Sequence, residues 1–413
     1  MQVKINPKNL IGKINAPPSK SYAHRILISA FLSGREVEVF NVGNSRDVLA
    51  TLSAIESLGA QVIKKDDSVI ILKKELPSKT IIDCDESGST LRFMLPVVSA
   101  LGVNATITGK DSLLKRPISD LVESLNENGA VIDNLTVNGQ LKSGEFYITA
   151  NVSSQYLTGL LLALPILNGD SKIIFKQKPV SLGYIDITLD VLKNFNIDIE
   201  KTEYGFFVKG NQKYFSKEKI FVEGDYSGAS FILSSGAIGG EVTVNGLGAN
   251  SVQGDKQILD VLSKFGAQIL VKENSVTVKK GNLNAITYDC ENIPDLVQII
   301  AVVSAFAQGK TILKNVSRLK IKESDRINAI LDQLISSKIK CEYVGDDLII
   351  YGGQPEGSIF DGGNDHRTVM SACILGVHAI SKSEILGAEA HKKSYTSFFD
   401  DIKSLGGDIN VTI

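Results

Sequence analysis

Residues 86–102 read ESGSTLRFMLPVVSALG. Ser87 and Ser89 can satisfy the free N–H groups at a helix start. The run from Leu91 is apolar nearly all round, which suits a helix buried on every side. Gly102 can take the left-handed conformation that ends a helix. The same plan recurs as AHRILISAFLSG to Gly34, YLTGLLLALPILNG to Gly169, SFILSSGAIGG through Gly239, LVQIIAVVSAFAQG to Gly309 and HRTVMSACILG to Gly376. The six glycines fall about seventy residues apart, the signature of an internal repeat.

A second set of helices runs in phase with the first. It reads TLSAIESLGAQV from Thr51, LVESLNENGAVI from Leu121, ITLDVLKNFNIDI from Ile187, ILDVLSKFGAQI from Ile258, AILDQLISSKIKC from Ala329 and SFFDDIKSLGGDI from Ser397. Here apolar residues keep helical spacing and the opposite face is charged, so these helices are half-exposed. Most end in a turn former and enter a short β-like run, and stretches such as DDSVIILKK and DDLIIYGG add strands. Each repeat is therefore a mixed β/α unit. A chain of 413 residues exceeds one ordinary core, and six units divide into two domains of three. An open α/β solenoid is the alternative.

Apolar residues make up 43% and charged residues 22%, an ordinary globular composition. The formal net charge of -2 lacks the basic excess of a general nucleic-acid binder. Cys84, Cys290, Cys341 and Cys373 form no CxxC pair, and the four histidines show no metal-ligand spacing. The N-terminal MQVKINPKNL lacks the plan of a signal peptide, and the apolar runs are too short to span a bilayer. A cytoplasmic protein with reduced thiols and no membrane or nucleic-acid partner is expected.

Cations gather at the helix starts. Lys20 and Arg25 flank the first buried helix, Arg92 follows Gly88 in the second, and Arg367 sits in the sixth. The amphipathic helices are expected to add Arg116 in LLKRPI, Lys322 and Arg326 in KIKESDR, and Lys393 in HKKSY. Free N–H groups and the helix dipole favour an anion at such ends. Equivalent ends facing one cleft would give a nearly neutral protein a site for highly anionic small molecules. A lone Lys or Arg is otherwise a solvated surface charge, and the shared repeat phase is what argues for more.

PPSKSYAHR, SGSTLRF, LLKRPI, VSSQYLTGLLLALP, GYIDITL, VEGDYSGASF, KESDR, NDHR and KKSY together resemble the 5-enolpyruvylshikimate-3-phosphate synthases. The segments run in family order from residue 17 to about 395, so essentially the whole chain is covered. The resemblance implies an α/β fold of two domains, each of three βαβαββ repeats (an inside-out α/β barrel), with ligands in the interdomain cleft. It places residues 15–221 in an N-terminal domain that mainly binds shikimate 3-phosphate. Residues 1–14 and 222–413 then form a C-terminal domain with much of the phosphoenolpyruvate site.

Roles carry over by position. Lys20, Ser21, Arg25, Ser153, Ser154, Gln155, Ser181, Tyr184, Asp295 and Lys322 match contacts to shikimate 3-phosphate. Lys20, Gly88, Arg116, Gln155, Arg326, Arg367 and Lys393 match the phosphoenolpyruvate site. Asp295 and Lys322 match groups at the attacking 5-hydroxyl, Lys20 matches a catalytic lysine near phosphoenolpyruvate, and Glu323 matches the proton donor and acceptor. Read alone, Asp295 could cap its helix and Glu323 could be a first-turn acid. The family chemistry is transfer of the enolpyruvyl group from phosphoenolpyruvate to shikimate 3-phosphate by addition and elimination. It uses no cofactor or metal, is a target of glyphosate at the phosphoenolpyruvate site, and is expected here in a monomer. The chain departs from the pattern at Glu86, where an amide is usual, at Arg318, at Thr396 and at Leu182-Gly183. The competing readings are enolpyruvyl transfer to a UDP-amino sugar and a non-catalytic anion-binding scaffold. The first lacks its Lys-Asn signature and loop cysteine here. An RNA 3'-phosphate cyclase would need a nucleophilic histidine, for which His366 alone is poor support.

Overall fold

A computed structural model describes residues 1–149, 153–177 and 182–412. The chain divides into two compact units. One is continuous, Lys20–Val222; the other is discontinuous, Met1–Ser19 with Glu223–Ile413.

The chain begins in the discontinuous unit with strands β1 (Gln2–Asn6) and β2 (Leu10–Asn15). The continuous unit then runs α1 (Lys20–Ser33), β3 (Val37–Phe40), α2 (Arg46–Ser57), β4 (Ala60–Lys64) and β5 (Ser68–Lys73). Its second repeat is β6 (Lys79–Asp83), α3 (Gly88–Leu101), β7 (Asn104–Thr108), the short α4 (Asp111–Leu114), α5 (Ser119–Glu127), β8 (Ala130–Asp133) and β9 (Thr136–Gly139). The third is β10 (Glu145–Thr149), α6 (Ser154–Ala163), β11 (Ser171–Gln177), α7 (Leu182–Asn194), β12 (Ile199–Thr202) and β13 (Gly205–Val208), followed by β14 (Lys219–Phe221).

The discontinuous unit resumes with α8 (Tyr226–Ile238), β15 (Gly240–Asn245), α9 (Ile258–Phe265), β16 (Gln268–Lys272) and β17 (Ser275–Lys279). Next come β18 (Thr287–Asp289), α10 (Val297–Ala305), β19 (Lys310–Lys314), α11 (Arg326–Ser336), β20 (Cys341–Val344) and β21 (Asp347–Tyr351). The last repeat is β22 (Ile359–Asp361), α12 (His366–His378), β23 (Ser383–Leu386), α13 (Phe398–Ser404) and β24 (Asp408–Thr412).

Among the described residues six four-stranded sheets form, three in each unit. All share one plan: a parallel outer pair, then two antiparallel neighbours. Thus β6 runs parallel to β7, which pairs antiparallel with β9, which pairs antiparallel with β8. The order β18-β19-β21-β20 repeats this in the other unit. Where the chain passes between units the outer strands are exchanged. The strand β2 precedes α1 but pairs with β15, and β14 precedes α8 but pairs with β3. The N-terminal strand β1 closes the last repeat, lying between β23 and β24.

The six apolar helices are the interiors of the units. All thirteen residues of α8 are buried. The helices α1, α3 and α6 belong to one hydrophobic core, and α8, α10 and α12 to the other. Two cores of three repeats replace the open solenoid. Ser87, Ser153, Asp225 and Asp365 accept a backbone N–H at the starts of α3, α6, α8 and α12, as their residue types require. One expectation is corrected. Arg116 and Lys322 do not lie in the amphipathic helices but in the turns that precede them, Lys393 ends a 3-10 helix, Ala388–Lys393, ahead of α13, and Arg326 alone opens an amphipathic helix, α11. Pro117 and the KES segment break the helical run, so Arg116 and Lys322 sit on connecting backbone.

Candidate active site

In the discontinuous unit the charged residues of the last two repeats meet around one carboxylate. Asp295 lies in the turn before α10, whose N-cap position is Leu296. Its Oδ1 is 3.0 Å from Arg326 Nη1 and 3.5 Å from Lys322 Nζ, and its Oδ2 is 3.2 Å from Arg367 Nη2. Arg367 Nη1 also donates to the Asp295 carbonyl at 2.8 Å, and its Nη2 donates to Ser227 Oγ at 2.7 Å. The turn holding Asp295 is thereby tied to the starts of α8 and α12.

A second acid supports the first. Asp365, fully buried, accepts from Arg326 Nε at 2.8 Å and Nη2 at 3.3 Å, and from the Arg367 N–H at 2.9 Å. This forked contact fixes the Arg326 plane. Burial alone would lower the Arg326 pKa, but Asp365, Asp295 and Glu323 outweigh it and raise it, so the guanidinium stays charged. Burial would likewise raise the Asp365 pKa, and Arg326 reverses that. Lys322 has the opposite balance. Desolvation pushes its ammonium below the usual range, Asp295 pulls it back, and Arg326, Arg318 and Arg367 push it down again.

Glu323 stands three residues ahead of α11 and is not a first-turn acid. Its Oε2 is 2.9 Å from His366 Nδ1. Lys393 Nζ donates to the Asn364 carbonyl at 2.6 Å, just ahead of α12. Glu323, Asp365 and His366 each bring one potential metal-ligand atom within 4.8 Å of the others. Asp365 already holds Arg326 through two hydrogen bonds, however, and a cation entering there would have to displace a guanidinium. The donor set does not suit a metal.

In the continuous unit the helix starts carry the other cations. Lys20 Nζ lies 2.8 Å from Asp47 Oδ2, on α2. Arg25, only 3% exposed, donates to Thr188 Oγ1, Thr158 Oγ1 and the carbonyls of Ser21 and Tyr184 at 2.7–3.1 Å. All four acceptors are neutral. Burial lowers its pKa to about 10, which leaves it charged at neutral pH. A buried cation held by neutral oxygens favours an anionic ligand.

Gly88 marks a second convergence. A Cβ built there would lie 3.0 Å from Arg116 Nη1, 3.1 Å from Arg92 Nη1 and 3.8 Å from Gln155 Oε1. Gln155 orders this corner, accepting from Arg92 Nη1 at 2.6 Å and donating to Ser89 Oγ at 2.9 Å. Desolvation lowers the Arg92 pKa, Tyr156 raises it and Arg116 lowers it again. Two guanidiniums approach one glycine, a cradle for phosphate or carboxylate oxygens. Ser153 caps α6, and Ser154 is buried in its first turn. Ser181 lies outside the described residues.

The departure at Glu86 is absorbed locally. Its carboxylate stands 3.8 Å from Arg46 and 4.0 Å from Lys110 and accepts from Ser112 at 3.2 Å. Sequence reasoning gave no role to Asp47, Ser227 or Asp365, and none to Arg92 beyond its charge. Asp365 lies in the NDHR segment, but an acid at a helix start does not reveal that the same carboxylate holds an arginine one repeat away.

The profile of the EPSP synthase (3-phosphoshikimate 1-carboxyvinyltransferase) family matches residues 5–402. A 3-phosphoshikimate 1-carboxyvinyltransferase of Clostridium acetobutylicum is 40% identical over 423 aligned positions, which take in 99% of this chain and 98% of that one. Its counterpart in Clostridium novyi is 39% identical with the same coverage. The EPSP synthase of Acinetobacter baumannii superposes over 100% of both chains with a TM-score of 0.85 at 25% identity. The enolpyruvyl transferase NikO from Streptomyces tendae shares the fold, with a TM-score of 0.79 at 15% identity.

Proposed function

The chain belongs to the EPSP synthase (3-phosphoshikimate 1-carboxyvinyltransferase) family, and on that premise we propose which of its residues carry the reaction. The activity is transfer of the enolpyruvyl group of phosphoenolpyruvate to shikimate 3-phosphate, a step of the shikimate pathway. The 5-hydroxyl attacks C2 while C3 gains a proton. The tetrahedral adduct then loses phosphate and a C3 proton.

Asp295 and Lys322 handle the hydroxyl proton. The observation that carries this is the 3.5 Å contact between them, beside two arginines. The lowered Lys322 pKa makes its proton easier to exchange than that of a free lysine. Glu323 protonates C3 and takes the proton back, with His366 orienting its carboxylate. Arg116, Arg326, Arg367, Lys393 and Lys20 bind the phosphate and carboxylate of phosphoenolpyruvate with Gly88 and Gln155. Arg326, held by Asp295 and Asp365, acts through its fixed charge. Lys20, Ser21, Arg25, Ser153, Ser154, Gln155, Ser181 and Tyr184 hold shikimate 3-phosphate. In domain terms, residues 15–221 mainly bind shikimate 3-phosphate, and residues 1–14 with 222–413 supply much of the phosphoenolpyruvate site.

The enzyme works as a cytoplasmic monomer without nucleic acid, and glyphosate competes with phosphoenolpyruvate. Among the described residues no helix is long and apolar enough to cross a membrane. Phosphate release in the presence of both substrates tests the assignment. Asp295→Ala and Glu323→Ala are each expected to lower kcat by roughly 10²–10⁴-fold, the range for general acid–base groups, with shikimate 3-phosphate binding retained. Near-normal turnover in both variants would reject these roles. Turnover with a UDP-amino sugar in place of shikimate 3-phosphate would favour the related transferase.

A further inference from the structure

One buried polar track in the continuous unit takes no part in the chemistry above. His24 Nδ1 on α1 is 2.6 Å from Thr51 Oγ1 on α2. Thr51 Oγ1 is 2.7 Å from Thr90 Oγ1 on α3. Thr90 Oγ1 donates at 2.7 Å to Ser87 Oγ, the cap of α3 and the residue before Gly88. All four side chains are buried.

Proton counting gives the track a direction. A threonine hydroxyl has one proton. Thr90 gives its proton to Ser87, so Thr51 must give its own to Thr90. Thr51 then accepts from His24, whose Nδ1 carries the hydrogen. His24 Nε2 has no polar partner among the described residues, which suits a bare lone pair better than an N–H. Burial, then Lys20 and Arg25, disfavour the charged imidazole.

Thr51 also shares a face of α2 with Asp47, one turn away. Asp47 holds Lys20 at 2.8 Å, and Thr51 holds Thr90. One face of one helix thus ties the cation that opens α1 to the turn that opens α3. We propose that His24, Thr51 and Thr90 are positioning residues for phosphoenolpyruvate, a hydrogen-bond chain that sets the Gly88 turn against Lys20. The inference rests on the assignment of Lys20 and Gly88 to phosphoenolpyruvate. It adds residues that touch no substrate and act through Ser87 and Asp47's helix.

Thr51→Val and Thr90→Val remove one hydroxyl each at nearly constant shape. Each is expected to raise KM for phosphoenolpyruvate roughly tenfold, the effect of losing about one net buried hydrogen bond. The KM for shikimate 3-phosphate and kcat should stay within about twofold, and Thr51→Ser should restore the wild-type value. A purely structural role would lower the unfolding midpoint and leave this selectivity absent, which would overturn the proposal. Gly88→Ala is the control. If it raises KM for phosphoenolpyruvate and the two valine variants do not, the chain has no positioning role. If Gly88→Ala leaves KM unchanged, the placement of Gly88 fails and the proposal falls with it. Nitrogen-15 spectra of the unmodified enzyme test the chain without any folding risk. With four histidines in the chain, His24→Gln identifies the signals. The Nδ1–H tautomer is expected, and an Nε2–H tautomer would refute the direction of the chain.

Discussion

Gly88 and Asp365 show how one small group governs several charges. The Gly88 hydrogen faces two guanidinium ends, and a methyl there would press on Arg116 Nη1 and Arg92 Nη1 at about 3 Å. Both are flexible ends, so they move and the fold survives. Gly88→Ala is therefore expected to raise KM for phosphoenolpyruvate by roughly an order of magnitude with an unchanged unfolding midpoint, read by steady-state kinetics and a melt. Asp365 is different because its partner cannot move into water. Asp365→Ala would leave Arg326 buried beside an empty site and uncap α12, at a cost of about 3–5 kcal/mol. A denaturant titration should show the loss, and a fall below about 1 kcal/mol would mean that Arg326 has other support. The cationic residues were legible because Lys and Arg at repeated helix starts stand out in the sequence. Their carboxylate partners were not. Asp47 and Asp365 are paired across 27 and 39 residues, and no local pattern records a contact at that separation.

At the scale of elements, α3 and α6 pack through one unusual pair. Pro96 inside α3 offers no N–H to the Arg92 carbonyl one turn back. Gly159 in α6 lies against that same carbonyl, and a Cβ there would fall inside contact distance of it and 3.0 Å from Pro96 Cγ. The close approach sets Arg92 on α3 beside Gln155 on α6, 2.6 Å apart. Gly159→Ala must separate the helices, because the obstacle is backbone. It should destabilise by about 3 kcal/mol and weaken phosphoenolpyruvate binding, whereas Gly88→Ala does only the second. Thermal unfolding with substrate titration separates the two. Helix identity and order were readable from periodicity and caps, since each apolar run had one reasonable conformation. The exchange of β2 and β14 was not readable that way, because a three-residue strand such as Lys219–Phe221 carries no partner preference in its composition, and only the family resemblance, which groups residues 1–14 with 222–413, pointed to it.

The molecule as a whole carries neutral histidines in both units. Burial, with Lys20 and Arg25, holds His24 well below its usual 6.5. Burial, with Lys280, holds His378 down at about 3, and burial lowers His391. Below pH 6.5 the unfolded chain takes up protons that the native one refuses, so stability falls as pH falls. Between pH 6.5 and about 5, above the ordinary carboxylate range, the denaturant midpoint should drop steadily. His378→Asn should flatten that slope, and a midpoint independent of pH over this window would contradict the assignment.

The strand exchange also orders events during synthesis. Everything from Lys20 to Val222 can pack as soon as it has left the ribosome. By contrast β1 needs β24, whose first residue, Asp408, pairs with Asn6. At about 5–20 residues per second, roughly 20–80 s pass before that partner exists. Until β23 emerges β1 has neither of its neighbours, and a nascent chain stalled short of residue 408 holds one finished unit and one that cannot close.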